Sequence, residues 1–354
     1  MWISLLIISE FVEYFFKNTT ATTLFYNCKE FVYPQFKPLW WAKGPLIQSA
    51  LSTLVTQFMK CLWEPVYLKW DDGVLCRLDY KKCRAERGAI KGVILVFHGL
   101  GGNSDATYCK IIARDFGKDH HIIVYNRRAH VPESFSKRIP SMYDRDDLDV
   151  VLEHVGRFAQ ELPIYGFGIS CGANALMRYV GESGVECKFA RVVACGNAWD
   201  LNHATGNIKS THMSQVVAGM AEDMYDHVEN SFCLFGKQTF RSQEELASAM
   251  RGDLSIREYY KRISAVYVVD RVAVPTLCVD CLDDPIYVFD DFKRIMNKNK
   301  NIAFIYTPHG GHTAWIESVW PYQSYFSGVM RTFLGESRDN EKGYKKVIVK
   351  ELQQ

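Results

Sequence analysis

Six short, near-continuously apolar runs recur along this chain, and they restrict its fold more than any other feature. They are Val93–Phe97, Ile122–Tyr125, Ile164–Phe167, Arg191–Ala194, Thr276–Val279 and Ile302–Tyr306. Runs of this length without polar alternation fit strands buried on both faces, as in parallel sheets covered by helices. Amphipathic stretches at Ala106–Phe116, Asp146–Glu161 and Ala173–Val180 separate them with helical spacing. Upstream, Val66–Trp70 and Val74–Tyr80 are strand-like and join through Asp71-Asp72-Gly73, a hairpin signal. The alternation predicts an α/β chain on a mostly parallel sheet of about eight strands with helices on both faces. Residues 199–263 break the rhythm. They are Met-rich and charged without an obvious strand, and read as an inserted helical lid. The expected organisation is an N-terminal membrane-associating or docking segment over 1–63, a main domain over 64–336 and a tail over 337–354.

The N-terminus narrows the cellular setting. Met1–Phe16 has twelve apolar residues of sixteen, fewer than the roughly 20 of a spanning helix, and Glu10 and Glu13 would be costly inside a bilayer. It lacks the positive start and small-residue cleavage site of a signal peptide. Two readings remain, an interfacial helix carrying Trp2, Phe11, Tyr14, Phe15 and Phe16, or an arm docked on its own domain. Asn18-Thr19-Thr20 is a glycosylation sequon that matters only on a lumenal side. Phe36–Trp41 and Leu46–Trp63 continue aromatic-rich and helix-like. Eleven cysteines, an odd number, favour a reducing compartment and free thiols. An intracellular, membrane-associated protein is expected, a cytoplasmic one otherwise. A formal charge of +2 without a long basic run gives nucleic-acid binding no electrostatic support.

The chemistry gathers at Gly168-Ile169-Ser170-Cys171-Gly172, a G-x-S-x-G element directly after an apolar run and before a helix candidate. That context describes a sharp strand-to-helix turn that exposes a serine hydroxyl, with glycines where side chains would collide. A serine hydroxyl needs a base, and the base needs an orienting acid. Sheet geometry requires both to follow on later loops, acid first and histidine last. Val274–Pro285 supplies Asp283 and Asp284, and Ile302–His312 supplies His312 behind Gly310-Gly311. Asp284 is the expected acid because Pro285 fixes the turn after it, with Asp283 as the alternative. His309 reads as a loop contact. Two backbone N–H donors are expected at the oxyanion: Cys171, following the serine, and Leu100 in His98-Gly99-Leu100-Gly101-Gly102. His98 precedes the serine and reads as structural. Cys278 and Cys281 resemble a C-x-x-C element, but on a strand they point to opposite faces and no second Cys/His pair accompanies them, so they read as core.

With these residues in order, the chain resembles the α/β-hydrolase superfamily, and within it the membrane-associated esterase and lipase subgroup of monoacylglycerol lipases, phospholipases and medium-chain esterases. The resemblance runs from about Phe36 to Leu334. It includes Lys37–Trp41 with Gln48, HGLGG at His98, Asn126-Arg127, GISCGAN at Ser170, Tyr259-Tyr260, VPTLCVDCLDDP, and GGH at His312. There are departures. Asn126-Arg127-Arg128-Ala129 stands where the subgroup usually continues N-x-R-G, Ala173 replaces a frequent glycine, and Cys171 replaces a larger apolar residue.

The expected function is serine-dependent hydrolysis of carboxylic esters, through an acyl-serine intermediate and without metal or cofactor. Met213, Met220, Met224, Tyr225, Phe232, Phe235 and Met250 in the insert suggest an adaptable apolar lid. A lipid or acyl ester at a membrane surface is therefore the expected partner. A soluble short-chain esterase and a non-catalytic binding protein on the same fold are the alternatives. An acyltransferase signature, His followed five positions later by Asp, is found at none of the ten histidines.

Overall fold

The structure, a computed structural model, describes residues 21–26, 29–34, 36–56, 59–69, 75–128, 130–131, 141–204, 254–286, 291, 294–295, 298–320, 322–335 and 350–351. The Met1–Phe16 segment, the Asn18 sequon, the Asp71-Asp72-Gly73 turn and the aromatic and Met positions of the insert lie outside the described residues.

The central sheet has eight strands: β3 (Glu64–Lys69), β4 (Leu75–Lys81), β5 (Gly92–Phe97), β6 (His120–Asn126), β7 (Ile164–Ile169), β8 (Arg191–Cys195), β9 (Thr276–Cys281) and β10 (Ile302–Thr307). Their spatial order is β10-β9-β8-β7-β5-β6-β4-β3. From β10 to β6 every pairing is parallel, while β4 runs antiparallel to both β6 and β3. Each of the eight strand-like runs in the sequence is one of these strands. The apolar texture has its physical reason in burial. All six residues of β5 and all six of β9 are buried, and covering a Val, Leu, Ile or Phe side chain contributes roughly 1.5–3 kcal/mol.

Helices cover both faces. On one side α3 (Arg145–Ala159) and α4 (Cys171–Ser183) share a core with Leu95, Phe97, Ile123 and Cys278. On the other, α2 (Thr107–Phe116) and α6 (Tyr325–Phe333) pack on Ile94, Val96, Phe167 and Cys281. Cys278 and Cys281 thus belong to opposite layers. A preceding helix, α1 (Pro45–Thr56), and the two-stranded β11 (Ile316–Val319) and β12 (Tyr322–Ser324) join the second layer. The helix-like reading of Phe36–Trp41 is not met and that of Leu46–Trp63 overshoots, because neither Phe36–Trp41 nor Met59–Trp63 is helical. The sequence reading foresaw neither the β11–β12 ribbon nor the small sheet formed by β1 (Ala21–Tyr26), β2 (Lys29–Pro34) and β13 (Lys350–Glu351).

The ends of the inserted interval are part of the core. Trp199 is fully buried, and Val266 N–H donates to the Trp199 carbonyl at 3.1 Å. Helix α5 (Ile256–Ile263) begins with a capping box between Ser255 and Glu258 and buries Tyr259 and Ile263. Between β5 and β7 the strand order reverses, β6 lying on one flank of β5 and β7 on the other. Loops leaving the carboxyl ends of strands at such a reversal diverge, and the crevice between them is where α/β sheets hold ligands. The two loops are His98–Gly102 and the turn at Ser170.

Gly156 lies within α3, and a Cβ there would meet nothing within 4 Å. Gly156→Ala should raise the unfolding free energy by about 0.5–1 kcal/mol through the helix propensity of alanine. Urea unfolding measures it, and an unchanged or lowered midpoint at constant slope would contradict this packing of α3.

Candidate active site

The turn between β7 and α4 places Ser170 at φ 54° and ψ −125°, a left-handed backbone that a residue with a side chain rarely adopts. The glycines on either side have steric causes. A Cβ on Gly168 would lie 2.7 Å from Ala173 Cα, and one on Gly172 would overlap the Phe97 carbonyl and lie 2.5 Å from the His98 carbonyl. The serine loop and the β5 loop are therefore pressed backbone to backbone. Ser170 N–H donates to the Cys195 carbonyl at 2.9 Å, which ties the turn to β8.

The loops after β9 and β10 bring two side chains to this serine. His312 Nε2 lies 2.8 Å from Ser170 Oγ, and His312 Nδ1 lies 2.8 Å from Asp284 Oδ2. Asp284 is buried, and its other oxygen accepts Ile286 N–H at 2.8 Å. Asp283 faces elsewhere. Its Oδ1 accepts Gly311 N–H at 3.0 Å, and its Oδ2 lies 3.3 Å from Nδ1 of the half-exposed His309. Of the adjacent carboxylates, one meets the histidine ring and the other anchors the backbone that carries it.

The histidine loop is held from below by α1. Gln48, fully buried, accepts Ile316 N–H at 2.8 Å and donates to the Ala42 carbonyl at 2.6 Å. Ser49 Oγ donates to the Pro45 carbonyl at 3.1 Å and lies 3.3 Å from the His312 carbonyl. Gly311, at φ 60°, faces the Pro45 backbone so closely that a Cβ would overlap it. Trp315, buried, donates its indole N–H to Thr307 Oγ1 at 2.8 Å and closes the loop from the other side.

The loop after β5 has its own supports. Tyr108 OH accepts Gly99 N–H at 2.7 Å, and the Gly99 carbonyl accepts from Arg127 Nη2 at 2.9 Å and faces His98 Nδ1 at 2.8 Å. Arg127 N–H points to His98 Nε2 at 3.3 Å. Those contacts fit a neutral imidazole, and burial, Arg127 and His130 hold the His98 pKa well below its ordinary value. Farther along the loop, Ser104 Oγ donates to Asp79 Oδ2 at 2.5 Å, and Asn126 bridges both residues. Arg128 forms a buried two-pronged pair with Asp147 at 2.5 and 2.7 Å. Arg127 is equally buried, yet among the described residues it has carbonyl partners and no carboxylate. Its guanidinium lies behind the loop that abuts Ser170, in a cavity that Asp144 and Asp147 also line.

The backbone amides of Leu100 and Cys171 both lie near the Cys171 sulfur. The Cys171 thiol is pushed up by burial, against the opposing pull of Arg127 and of the Leu100 and Cys171 amides. Both amides thus favour negative charge at that sulfur. A third acid lies behind Asp284. Asp280, on β9, is fully buried and accepts Asn197 N–H at 3.0 Å. Burial pushes its carboxyl up to about 7, the Asn197 N–H opposing and Asp284 adding to the shift.

Asp200, His203 and Asp291 lie close enough to hold a cation, but Arg294 already stands there, 2.9 Å from Asp200 and 3.0 Å from Asp291. Sequence reasoning missed Asp79, Tyr108, Ser49 and Asp280 as supports, and named Arg127 only as part of the family resemblance. An acid inside the apolar text of β4 and another inside β9 were signals that their partners had to be sought.

The alpha/beta hydrolase fold family pattern matches residues 92–283. Human phospholipase ABHD3 is 24% identical over 83% of this chain and 76% of its own length. Zebrafish (Danio rerio) monoacylglycerol lipase ABHD2 is 22% identical over 85% of this chain and 77% of its own. Among solved structures, a soluble variant of the Saccharomyces cerevisiae monoglyceride lipase, in complex with a substrate analog, superposes with a TM-score of 0.54 at 12% identity, covering 78% of this chain and 96% of that one.

Asp280 makes a stability prediction. In the folded chain its carboxyl holds a proton up to about pH 7, whereas the ordinary value is 3.8. Between those limits the unfolded chain binds fewer protons, so this group lowers stability as pH rises from about 4 to 7. Asp280→Asn keeps an acceptor for Asn197 N–H and has no such titration. Urea unfolding at pH 5 and pH 8 should show the variant gaining on the parent at the higher pH. Parallel behaviour of the two would reject the raised carboxyl.

Proposed function

This chain belongs to the alpha/beta hydrolase fold family, in its lipase and esterase branch, and on that premise we propose that it is a serine-dependent carboxylic ester hydrolase acting on lipid esters at a membrane surface. The observation that supports this reading best is the unbroken line of contacts from Ser170 Oγ through the His312 ring to Asp284.

In the proposed reaction Asp284 accepts the Nδ1–H of His312, which leaves the Nε2 lone pair facing Ser170. Nε2 takes the hydroxyl proton as Oγ attacks the ester carbonyl. The N–H groups of Leu100 and Cys171 hold the resulting oxyanion, each contributing roughly 3 kcal/mol to the barrier reduction. His312 then returns the proton to the departing alcohol, leaving an acyl ester on Ser170. Water, deprotonated by the same ring, repeats the attack and restores the serine. Buried Asp280 and Asp284 lie on the histidine side of this exchange, Arg127 on the oxyanion side.

The lipid preference draws on the relatives' names, phospholipase and monoacylglycerol lipase, and on the Met-rich insert text between Trp199 and Ile263. Among the described residues no helix is long and apolar enough to cross a membrane. A catalytic unit over 64–336, with a docking segment over 1–63, is the arrangement this reading keeps.

A fluorophosphonate probe should label the protein, and Ser170→Ala should abolish the labelling. Asp284→Asn should lower kcat by roughly 10⁴-fold, the order seen when a triad acid is neutralised, and Asp283→Asn far less. A reversed ranking of the two aspartates would reassign the acid. Labelling that survives Ser170→Ala would end the serine mechanism. Rates across acyl-chain lengths, with and without vesicles, test the substrate class: a short-chain optimum indifferent to vesicles would leave a soluble esterase instead.

A further inference from the structure

Helix α1 turns two large aliphatic side chains to solvent and polar ones inward, beside the core-packed Leu51. Its inward positions, spaced i, i+3, i+4 and i+7, are Pro45, Gln48, Ser49 and Ser52, with Gln48 and Ser52 buried. Its outward positions, spaced i, i+3 and i+7, are Ile47, Ala50 and Leu54, with Ile47 47% and Leu54 54% exposed. An ordinary surface helix has the reverse arrangement. More apolar surface adjoins it. Trp40, in the loop before the helix, is 82% exposed, and Trp320, in the turn of the β11–β12 ribbon, is 93% exposed. That ribbon packs on α1 through Ile316 N–H to Gln48 and through Tyr322 OH, 3.4 Å from Ser52 Oγ.

The charge beside this face has one sign. From Phe36 to Trp63 the chain carries Lys37, Lys43 and Lys60, all exposed, and no acidic residue. Just past α1 a cavity of about 320 Å³ is lined by Lys60, Lys81, Lys110, Arg114 and Lys118 together with Met59 and Cys61. Two acids offset part of that charge, Asp105 at 3.6 Å from Lys110 and Asp115 at 2.5 Å from Arg114. Arg114 also donates to the Tyr322 carbonyl at 3.1 Å and stacks over the Tyr322 ring, so the cavity is continuous with the ribbon and with α1.

Resting on the lipid-ester reading, the geometry points to a docking face for an anionic lipid bilayer, in which Trp40, Ile47, Leu54 and Trp320 enter the interface and the Lys60–Lys118 cavity takes a headgroup phosphate. Exposed tryptophans and short aliphatic stripes partition into the interfacial region, and each lysine or arginine near an anionic leaflet adds attraction. A phosphate fits a cavity of that volume and the donor geometry of lysine and arginine. The face also has a reason to be there. The inward side of α1 carries Ser49 against the His312 carbonyl and Pro45 against Gly311, so a docked bilayer lies within about one helix diameter, roughly 10 Å, of the loop that carries the catalytic base.

The test uses the full-length chain and vesicles of phosphatidylcholine with or without phosphatidylserine, read by co-sedimentation. The parent should partition at least about tenfold better onto phosphatidylserine vesicles, with the preference fading as salt is added. Lys60→Glu with Lys118→Glu should remove that preference. Ile47→Glu with Leu54→Glu should weaken partition to both vesicle types by roughly tenfold or more. Both pairs should leave hydrolysis of a water-soluble short-chain ester unchanged. Parent-like partition by both pairs would overturn the proposal and assign vesicle binding elsewhere, Met1–Phe16 included. A parent that sediments as a dimer without lipid, and as a monomer after Ile47→Glu with Leu54→Glu, would give the face to a second copy instead. Equal partition to both vesicle types, combined with inorganic phosphate raising the melting temperature of the parent but not of Lys60→Glu with Lys118→Glu, would assign the cavity to free phosphate. Hydrolysis of the same lipid ester in detergent micelles separates the failures: retained there, only the docking face is lost; absent there, the lipid-ester reading falls.

Discussion

The contact between Gly172 and the carbonyls of Phe97 and His98 is the constraint from which the rest of the site follows. Ser170 needs a left-handed backbone to lift its hydroxyl above the sheet, and such a conformation costs of order 1–3 kcal/mol. The cost is tolerated because β7 and α4 are fixed at both ends, Ser170 N–H being bonded to β8 and the glycines admitting backbone where side chains would be. The same close approach seats the β5 loop against the serine. One steric fact therefore sets both where the Ser170 hydroxyl points and where the Leu100 and Cys171 amides stand.

The histidine arrives by a different principle. Its loop after β10 has no sheet ladder to satisfy its backbone, and a Gly-Gly sequence does little to stiffen itself. Buried peptide groups without partners are costly, and the structure meets that need with side chains brought from far away. Asp283 takes Gly311 N–H, Gln48 takes Ile316 N–H, and Trp315 is held by Thr307. The demand falls on α1 in particular, whose Gln48 and Ser49 turn inward to serve the loop. Ile47 and Leu54 are left to face outward, while Leu51 packs on the core beside the polar side chains.

What was legible in the sequence follows the same division. The strands could be read because burial on both faces leaves an apolar run, and Ser170, Asp284 and His312 because their chain order and strand-end positions repeat a pattern that sheet geometry enforces. Asp283 and Asp284 were ambiguous, since neighbouring residues on an irregular loop leave their directions undetermined until a backbone is present. The supports were not legible. Asp79 with Ser104 and Asn126, or Gln48 with Ile316, are pairings between distant segments that no local spacing announces. The β11–β12 ribbon escaped for a related reason, because four-residue and three-residue strands carry too little periodicity to stand out from loop text.

Charge completes the argument for why these supports are the ones present. In the proposed acyl transfer a proton moves onto His312 while negative charge grows on the substrate oxygen, so a fixed field pointing from the oxyanion loop toward the histidine loop lowers the barrier without reorganising at the moment of reaction. The chain builds that field from both sides. Behind the ring stand Asp284 and, deeper, Asp280, whose protonation below about pH 7 limits how much negative charge is buried at once. Behind the oxyanion position stand the N-terminus of α4 and Arg127, whose guanidinium donates to the Gly99 and Met142 carbonyls and to no carboxylate among the described residues. A carboxylate placed against Arg127, as Asp147 is against Arg128, would hold the loop equally well but would cancel the field. The asymmetry between these two adjacent arginines separates a residue that holds the fold from one that also shapes the potential at the serine.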